Sequence, residues 1–195
     1  MTPNKNRYVQ SFAQLSDEEK AALARLDETS SDVVNASCVM NIVGVMAGIK
    51  PAAYIEVRDG YAPLLEQLGL ICVSTQHEGI AVSYDAQLAT QLAMDIQTTW
   101  GKKQLDRAAE TRIGKALGYP ESAIEHFIVR FAAAPGEESP MVEVPDTIPD
   151  MPHENFVQFI LSPGHYLDEI RAYAKPLEEA THIYAPRSYE IIIED

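Results

Sequence analysis

The stretch from Val33 to Ile49 constrains the fold more than any other part of the chain, because it is apolar on almost every side. At 17 residues it falls short of the ~20 apolar residues that a bilayer core requires, so we do not expect it to span a membrane. Ser31 or Asp32 is placed to cap a helix here, and we expect that helix to end near Gly48. A helix that is apolar all round belongs in a protein interior or in an oligomer interface.

Composition and charge limit the class of protein. The chain has 195 residues, which fits one ordinary domain, and 15 Lys and Arg against 29 Asp and Glu give a net charge of −14. A chain this acidic repels nucleic acid unless a local basic patch overrides the global field, so nucleic acid is an unlikely partner. The two cysteines, Cys38 and Cys72, have no spacing that indicates a disulfide framework or a zinc site. The first residues lack the apolar core of a secretory signal, so we expect a cytoplasmic protein.

The periodicity of apolar residues predicts an α+β fold, with about five strands in one mostly antiparallel sheet covered by helices. Three strands are predicted at 53–57, 70–75 and 80–84, and a hairpin connection at 76–79 joins the second to the third. Strands at 156–161 and 189–193 are predicted to flank a helix at 165–179, which would make a C-terminal β-α-β unit.

Capping residues mark where several helices begin. Ser16 and Glu19 form a capping box, which predicts a helix that runs to about Asp27. Asp85 is placed to cap a later helix that ends at Trp100. Further helices are predicted between Gly60 and Gly69, at 102–117 and at 121–131.

The chain changes character at Pro135. Residues 135–155 carry five prolines and six carboxylates in 21 residues, with no usable periodicity. We therefore divide the chain into a main body at 1–134, a proline-rich acidic connector or lid at 135–155, and a C-terminal segment at 156–195 that belongs to the same domain. Two lobes split at this stretch are the alternative, and the stretch itself is a lid, a docking arm for a basic partner or a plain connector.

A cationic cluster stands out in this anionic chain. Five of the fifteen basic residues fall within fourteen positions, and they are Lys102, Lys103, Arg107, Arg112 and Lys115. On one helix, Lys103 and Arg107 would share a face, and that face would suit a ligand that carries a phosphate or a carboxylate. The alternative is a solvent-exposed helix whose cations pair with neighbouring acids.

The segment Gly114-Lys115-Ala116-Leu117-Gly118-Tyr119-Pro120 resembles a motif, Gly-Lys-x-Leu-Gly-Tyr-Pro, of uncharacterised prokaryotic proteins. In those proteins two cysteines follow closely after the proline. Ser122 and Ala123 stand in that place here, so no thiol or metal role is carried over. Gly118 also suits the end of one helix, and Glu121 suits the positive end of the next.

A second anion site is predicted where Ser162-Pro163-Gly164-His165 opens a helix. Ser162 and His165 are also a potential nucleophile and base, although Ser162 as an ordinary helix cap explains the same residues. The pair His165 and Glu169, and the set Glu121, Glu125 and His126, lack a complete metal signature, so we predict no metal.

The sequence thus favours a protein that binds a small anionic ligand. The residues predicted to bind it are Lys103, Arg107, Arg112, Lys115, Tyr119, Ser162 and His165. The alternative is an acidic interaction or regulatory module that binds a basic protein partner and forms a homo-oligomer. The sequence leaves open whether the protein is an enzyme, and it points to no cofactor.

Overall fold

Helices make up most of the protein in a computed structural model that describes residues 12–56, 60–77, 79–102, 104–131 and 153–194. The α-helices are α1 (Asp17–Glu28), α2 (Val33–Met46), α3 (Tyr61–Gln67), α4 (Ala86–Thr99), α5 (Arg107–Ala116), α6 (Glu121–Phe131), α7 (Tyr166–Glu169), α8 (Lys175–Tyr184) and α9 (Pro186–Glu194). The strands are β1 (Ala52–Glu56), β2 (Ile71–Ser74) and β3 (Gly79–Ser83). Short 3₁₀ turns lie at Phe12–Gln14 and Glu154–Phe156.

The three strands form one antiparallel sheet in the order β1-β3-β2. Ser83 of the central strand pairs with Ala52 on one side and with Ile71 on the other, and β3 is buried along its whole length. The predicted hairpin between β2 and β3 is confirmed. The prediction of about five strands is wrong, since the described residues contain only these three.

The C-terminal β-α-β unit is also wrong, because both of its predicted strands have other structures. Residues 189–193 lie in α9, although a run of isoleucines favours a strand. The buried Asp27 of α1 caps this helix: its carboxylate accepts from the backbone N–H groups of Arg187 at 3.0 Å and Ser188 at 2.8 Å. Satisfying the free amides at the start of α9 from a distant helix outweighs the local preference.

The other predicted strand, at 156–161, begins in a 3₁₀ turn and continues as irregular chain. Side chains rather than a strand ladder hold this segment. Gln158 binds Lys50 in the interior, and Ser162 binds the carboxylate of Glu169. A segment anchored in this way needs no neighbouring strand to satisfy it.

The core is arranged around α2, which is buried on two sides within the chain. Val39, Ile42 and Val43 pack into the cluster that includes the sheet, and Met40 packs with Leu177 of α8 in a second cluster. The predicted cap is confirmed, since Asp32 accepts from the N–H of Asn35 at 2.8 Å. In the part of the chain that the structure covers, none of the helices combines the length and the hydropathy that crossing a bilayer takes.

One π-helical turn, Ile170–Ala174, joins α7 to α8. The N–H of Lys175 donates to the carbonyl of Ile170, five residues earlier. Pro176 follows at once, and a proline inside a helix lacks an N–H and crowds the carbonyl four residues before it. The wide turn accommodates that proline, and it places Tyr173 in the interior.

The remaining helices differ from prediction mainly at their ends. The capping box of Ser16 and Glu19 and the cap of Asp85 are confirmed. The helix predicted from Lys102 begins only at Arg107, because Asp106 caps it by accepting from two backbone N–H groups. Most of the proline-rich segment at 135–155 lies outside the described residues, which resume at 153.

Replacing Asp27 tests the contact between α1 and α9. We expect Asp27→Ala to lower the free energy of unfolding by about 2–4 kcal/mol, because it leaves buried donors at the start of α9 without an acceptor. Urea unfolding followed by circular dichroism measures the change. The matched control is Glu28→Ala, an exposed acid next in sequence, for which we expect a change within about 0.5 kcal/mol. Equal effects of the two substitutions would contradict the role given to Asp27.

Candidate functional site

Lys50 is the most unusual residue of the interior, because its side chain is only 1% exposed. It lies in the loop between α2 and β1, and its aliphatic chain runs back across α2 at Gly44. A Cβ atom at Gly44 would come within 2.8 Å of Lys50 Cδ and 2.9 Å of Leu177 Cδ1. Glycine at this position therefore gives the lysine its path into the core.

The amine of Lys50 binds two neutral acceptors. Nζ donates to Asn41 Oδ1 in α2 and to Gln158 Oε1 at 2.7 Å in the irregular segment. The hydroxyl of Tyr173 donates to the same Gln158 oxygen at 2.9 Å. No carboxylate among the described residues pairs with Lys50. A buried ammonium is normally paired with an acid, so this environment favours the neutral amine.

Two aromatic rings close the site around the amine. Nζ lies 6.0 Å from the ring centre of Tyr119 and 5.9 Å from that of Tyr173. Burial raises the pKa of Tyr119 to about 12. Burial, with Tyr119 beside it, also raises the pKa of Tyr173. Both phenols are therefore neutral at physiological pH and add no negative charge beside the lysine.

The turn at the end of the segment 114–120 brings Tyr119 to Lys50. Gly118 ends α5 with φ of 77°, a conformation that favours glycine. A Cβ atom there would lie 2.8 Å from the carbonyl of Ile49 and 3.2 Å from Lys50 Cα. Because only glycine permits this close approach, the chain can turn and place the Tyr119 ring against the lysine.

A cavity of about 420 Å³ adjoins this group. It lies between α5, α6 and the irregular segment, and its walls are mostly apolar: Ile113, Gly114, Ala123, Ile124, Phe127, Val157, Phe159 and Ile160. The more polar residues at its edge are Glu110, Tyr119 and Gln158. Since Gln158 and Tyr119 both contact Lys50, the cavity and the buried amine share one wall. Burial, and then the charge of Asp106, raise the pKa of Glu110.

A second, more polar space of about 800 Å³ lies beside α2. Asn41 lines it together with Tyr54, His77 and Trp100, and the last two rings stack at 5.1 Å. The two acceptors of Lys50 thus border two different spaces. The amine lies between these two acceptors.

Glu169 forms a separate buried polar group. Its carboxylate accepts from the hydroxyls of Ser122 and Ser162, and from the N–H of Ser162 at 2.8 Å. Within the described ranges, no three His, Cys, Asp or Glu side chains are grouped so that they could hold a metal ion.

The predicted basic residues lie on the surface of α5. Arg112 binds Asp95 of α4 through two hydrogen bonds, at 2.9 and 2.6 Å. Burial opposes ionisation of Asp95, but the hydrogen bonds from Arg112 outweigh it and lower the pKa of that carboxyl. Lys115 is 3.6 Å from Glu121, and Arg107 is exposed. None of these three lines the cavity, and Lys103 lies outside the described residues.

The other predicted site residues are separated in the same way. The hydroxyl of Ser162 binds Glu169, while His165 is exposed and its carbonyl accepts from the N–H groups of the following turn. Tyr119 is the one predicted residue that lines the cavity. The structure therefore does not bring the predicted set together around one ligand.

Comparison of the chain with protein-family models, with curated proteins and with solved structures returned no match.

Sequence reasoning missed Lys50, Asn41, Gln158 and Tyr173. A lysine in a short loop is usually exposed, and the other three lie in patterns typical of ordinary helix or strand residues. One signal was available: Lys50 interrupts an apolar run that continues into β1. Its partner Gln158 is 108 residues away, which no local pattern reveals.

The buried lysine predicts a specific pH dependence of stability. Burial lowers the pKa of Lys50 from 10.5 to about 7 in the folded protein. Between these values the unfolded chain binds the extra proton, so stability rises with pH; below about pH 7 both states are protonated and the contribution is constant. Relative to Lys50→Met, we expect the wild-type free energy of unfolding to gain about 1 kcal/mol per pH unit between pH 7.5 and 9.5.

Urea titrations at several pH values measure this difference, and the subtraction removes groups common to both proteins. Lys115→Met, an exposed lysine, is the control and should follow the wild-type profile. Parallel profiles for wild type and Lys50→Met would show that Lys50 does not titrate in this range.

Proposed function

We propose that the protein binds a small, mostly apolar organic molecule in the cavity between α5 and α6, and that this molecule carries a carboxylate or carbonyl oxygen. The observation that carries the proposal is the shared wall: Gln158 lines the cavity and also accepts a hydrogen bond from the buried Lys50. Ligand cavities are typically apolar, with a few placed polar groups that fix orientation.

The hydrogen-bond partners of Gln158 determine which of its side-chain groups is left to bind a ligand. Its oxygen accepts from Lys50 and from Tyr173, so its amide nitrogen is the group left to donate into the cavity. Two donors on the oxygen polarise the amide and strengthen its N–H groups as donors. A ligand oxygen at this position would meet a strong donor in a mostly apolar cavity.

The anion site predicted on α5 is a second candidate, for a small ligand that carries a phosphate or a carboxylate. Arg107 is exposed, and Lys115 has only a solvent-exposed acid nearby, so both are available to a surface anion. Arg112 is engaged with Asp95 and is not part of this proposal. A ligand in the cavity would depend on Gln158, whereas a ligand on α5 would depend on Arg107 and Lys115.

A thermal-shift screen with medium-chain and aromatic carboxylates, aldehydes and ketones tests the cavity proposal. For a ligand at a hundredfold excess over Kd we expect the Tm to rise by about 5–10 °C. Gln158→Leu should remove at least half of this ligand-induced rise, because the amide donor is lost. Gln87→Leu, an exposed glutamine on α4, is the control and should keep it.

Two further variants separate the candidate sites. Val157→Trp narrows the cavity while keeping Lys50 and Gln158, and it should also remove the rise. Arg107→Glu with Lys115→Glu reverses the surface charge and should leave the rise unchanged. The opposite pattern would move the ligand to α5. A screen in which no compound raises the Tm of the wild type would refute the cavity proposal, and the same result with phosphate esters would refute the α5 site.

A further inference from the structure

The environment of Lys50 is typical of a lysine that reacts with a carbonyl group, and it differs from that of a lysine that forms an ion pair with an acid. Among the described lysines it is the one that is buried, and Lys20, Lys102, Lys115 and Lys175 reach solvent. Lysines that attack carbonyl groups do so as neutral amines, and burial away from acids is the usual way in which proteins provide them.

The number of acceptors around Nζ agrees with a neutral amine. An ammonium carries three N–H donors, whereas a neutral amine carries two and a lone pair. The described residues supply two acceptors, Asn41 Oδ1 and Gln158 Oε1, and both are uncharged amide oxygens. These two bonds use both N–H groups of the neutral form and leave its lone pair free.

Gln158 lies between the amine and the cavity. Gln158 contacts Nζ and lines the cavity, and it belongs to a segment without a strand ladder or an α-helix. Rotation of its carboxamide would open a path from the cavity to Nζ. The walls of the cavity are mostly apolar, which favours binding of the carbon skeleton of a carbonyl compound there.

We propose that Lys50 forms an imine with an aldehyde or ketone that binds in the cavity between α5 and α6. This inference rests on the proposed function, since the carbonyl compound is the ligand of the same cavity. It narrows the ligand class from oxygen-bearing molecules to carbonyl compounds.

The reaction needs no co-reactant. The Nζ lone pair adds to the carbonyl carbon, the π pair moves to the oxygen, and the oxygen takes a proton from Nζ to give a carbinolamine. The carbon–oxygen bond then breaks, and the oxygen leaves as water with the second Nζ proton. The product is a carbon–nitrogen double bond and one water molecule, with no change of oxidation state.

Reductive trapping tests the step. Wild-type protein is incubated at pH 7 with benzaldehyde, octanal or 2-octanone and sodium cyanoborohydride, and the adduct is located by peptide mass spectrometry. We expect one adduct per chain at Lys50, with the mass of the probe minus one oxygen atom. It should form at least about tenfold faster than at any exposed lysine, because an ordinary lysine is almost wholly protonated at this pH.

Two variants and a competition experiment serve as controls. Lys50→Met should lose this adduct while Lys115→Arg keeps it, and circular dichroism checks that both are folded. In the unmodified wild type, an excess of 1-octanol, which fits the same cavity but has no carbonyl, should slow labelling of Lys50 by octanal.

The outcomes separate the two proposals. If the probes raise the Tm in a Gln158-dependent manner and yet no Lys50 adduct forms, the imine is refuted and cavity binding stands. If no adduct forms at Lys50, and neither these probes nor the carboxylates of the thermal-shift screen raise the Tm, both proposals are refuted. Adducts spread evenly over the exposed lysines, with none enriched at Lys50, also overturn the imine.

Discussion

The buried amine of Lys50 is the interaction on which this part of the structure depends. An amine inside a protein must find acceptors, and here they come from α2 and from a segment 108 residues away in sequence. Gly44 gives the side chain room to enter, and two tyrosine rings cover it. The lysine thus fixes an irregular segment to the central helix, and this contact forms one wall of the cavity.

Two further buried polar contacts work in the same way. Asp27 caps α9 from α1, and Glu169 holds the chain at Ser162. Each contact joins two different structural elements: α1 to α9 in the first case, and α7 to the irregular segment before it in the second. Because a buried polar group without a partner costs about 1–3 kcal/mol, each contact specifies the position of its segment more strongly than apolar packing alone.

The site proposed for ligand binding has a buried amine at its wall, inside a protein that is acidic overall. The chain carries a net charge of −14, and Arg112 and Lys115 of α5 lie beside acids. Lys50 differs from them because neutral groups surround it and burial lowers its pKa. The π-helical turn that places Tyr173 beside Gln158 belongs to the same arrangement, and such turns are frequent at functional sites.

The sequence by itself determined the elements that short-range contacts stabilise. The caps at Ser16, Asp32 and Asp85 and the hairpin between β2 and β3 could be predicted because each depends on residues a few positions apart. Only the tertiary structure decided that residues 189–193 form a helix and that Lys50 is buried. Both depend on partners more than a hundred residues away, and the energy of those contacts exceeds the preferences of the local pattern.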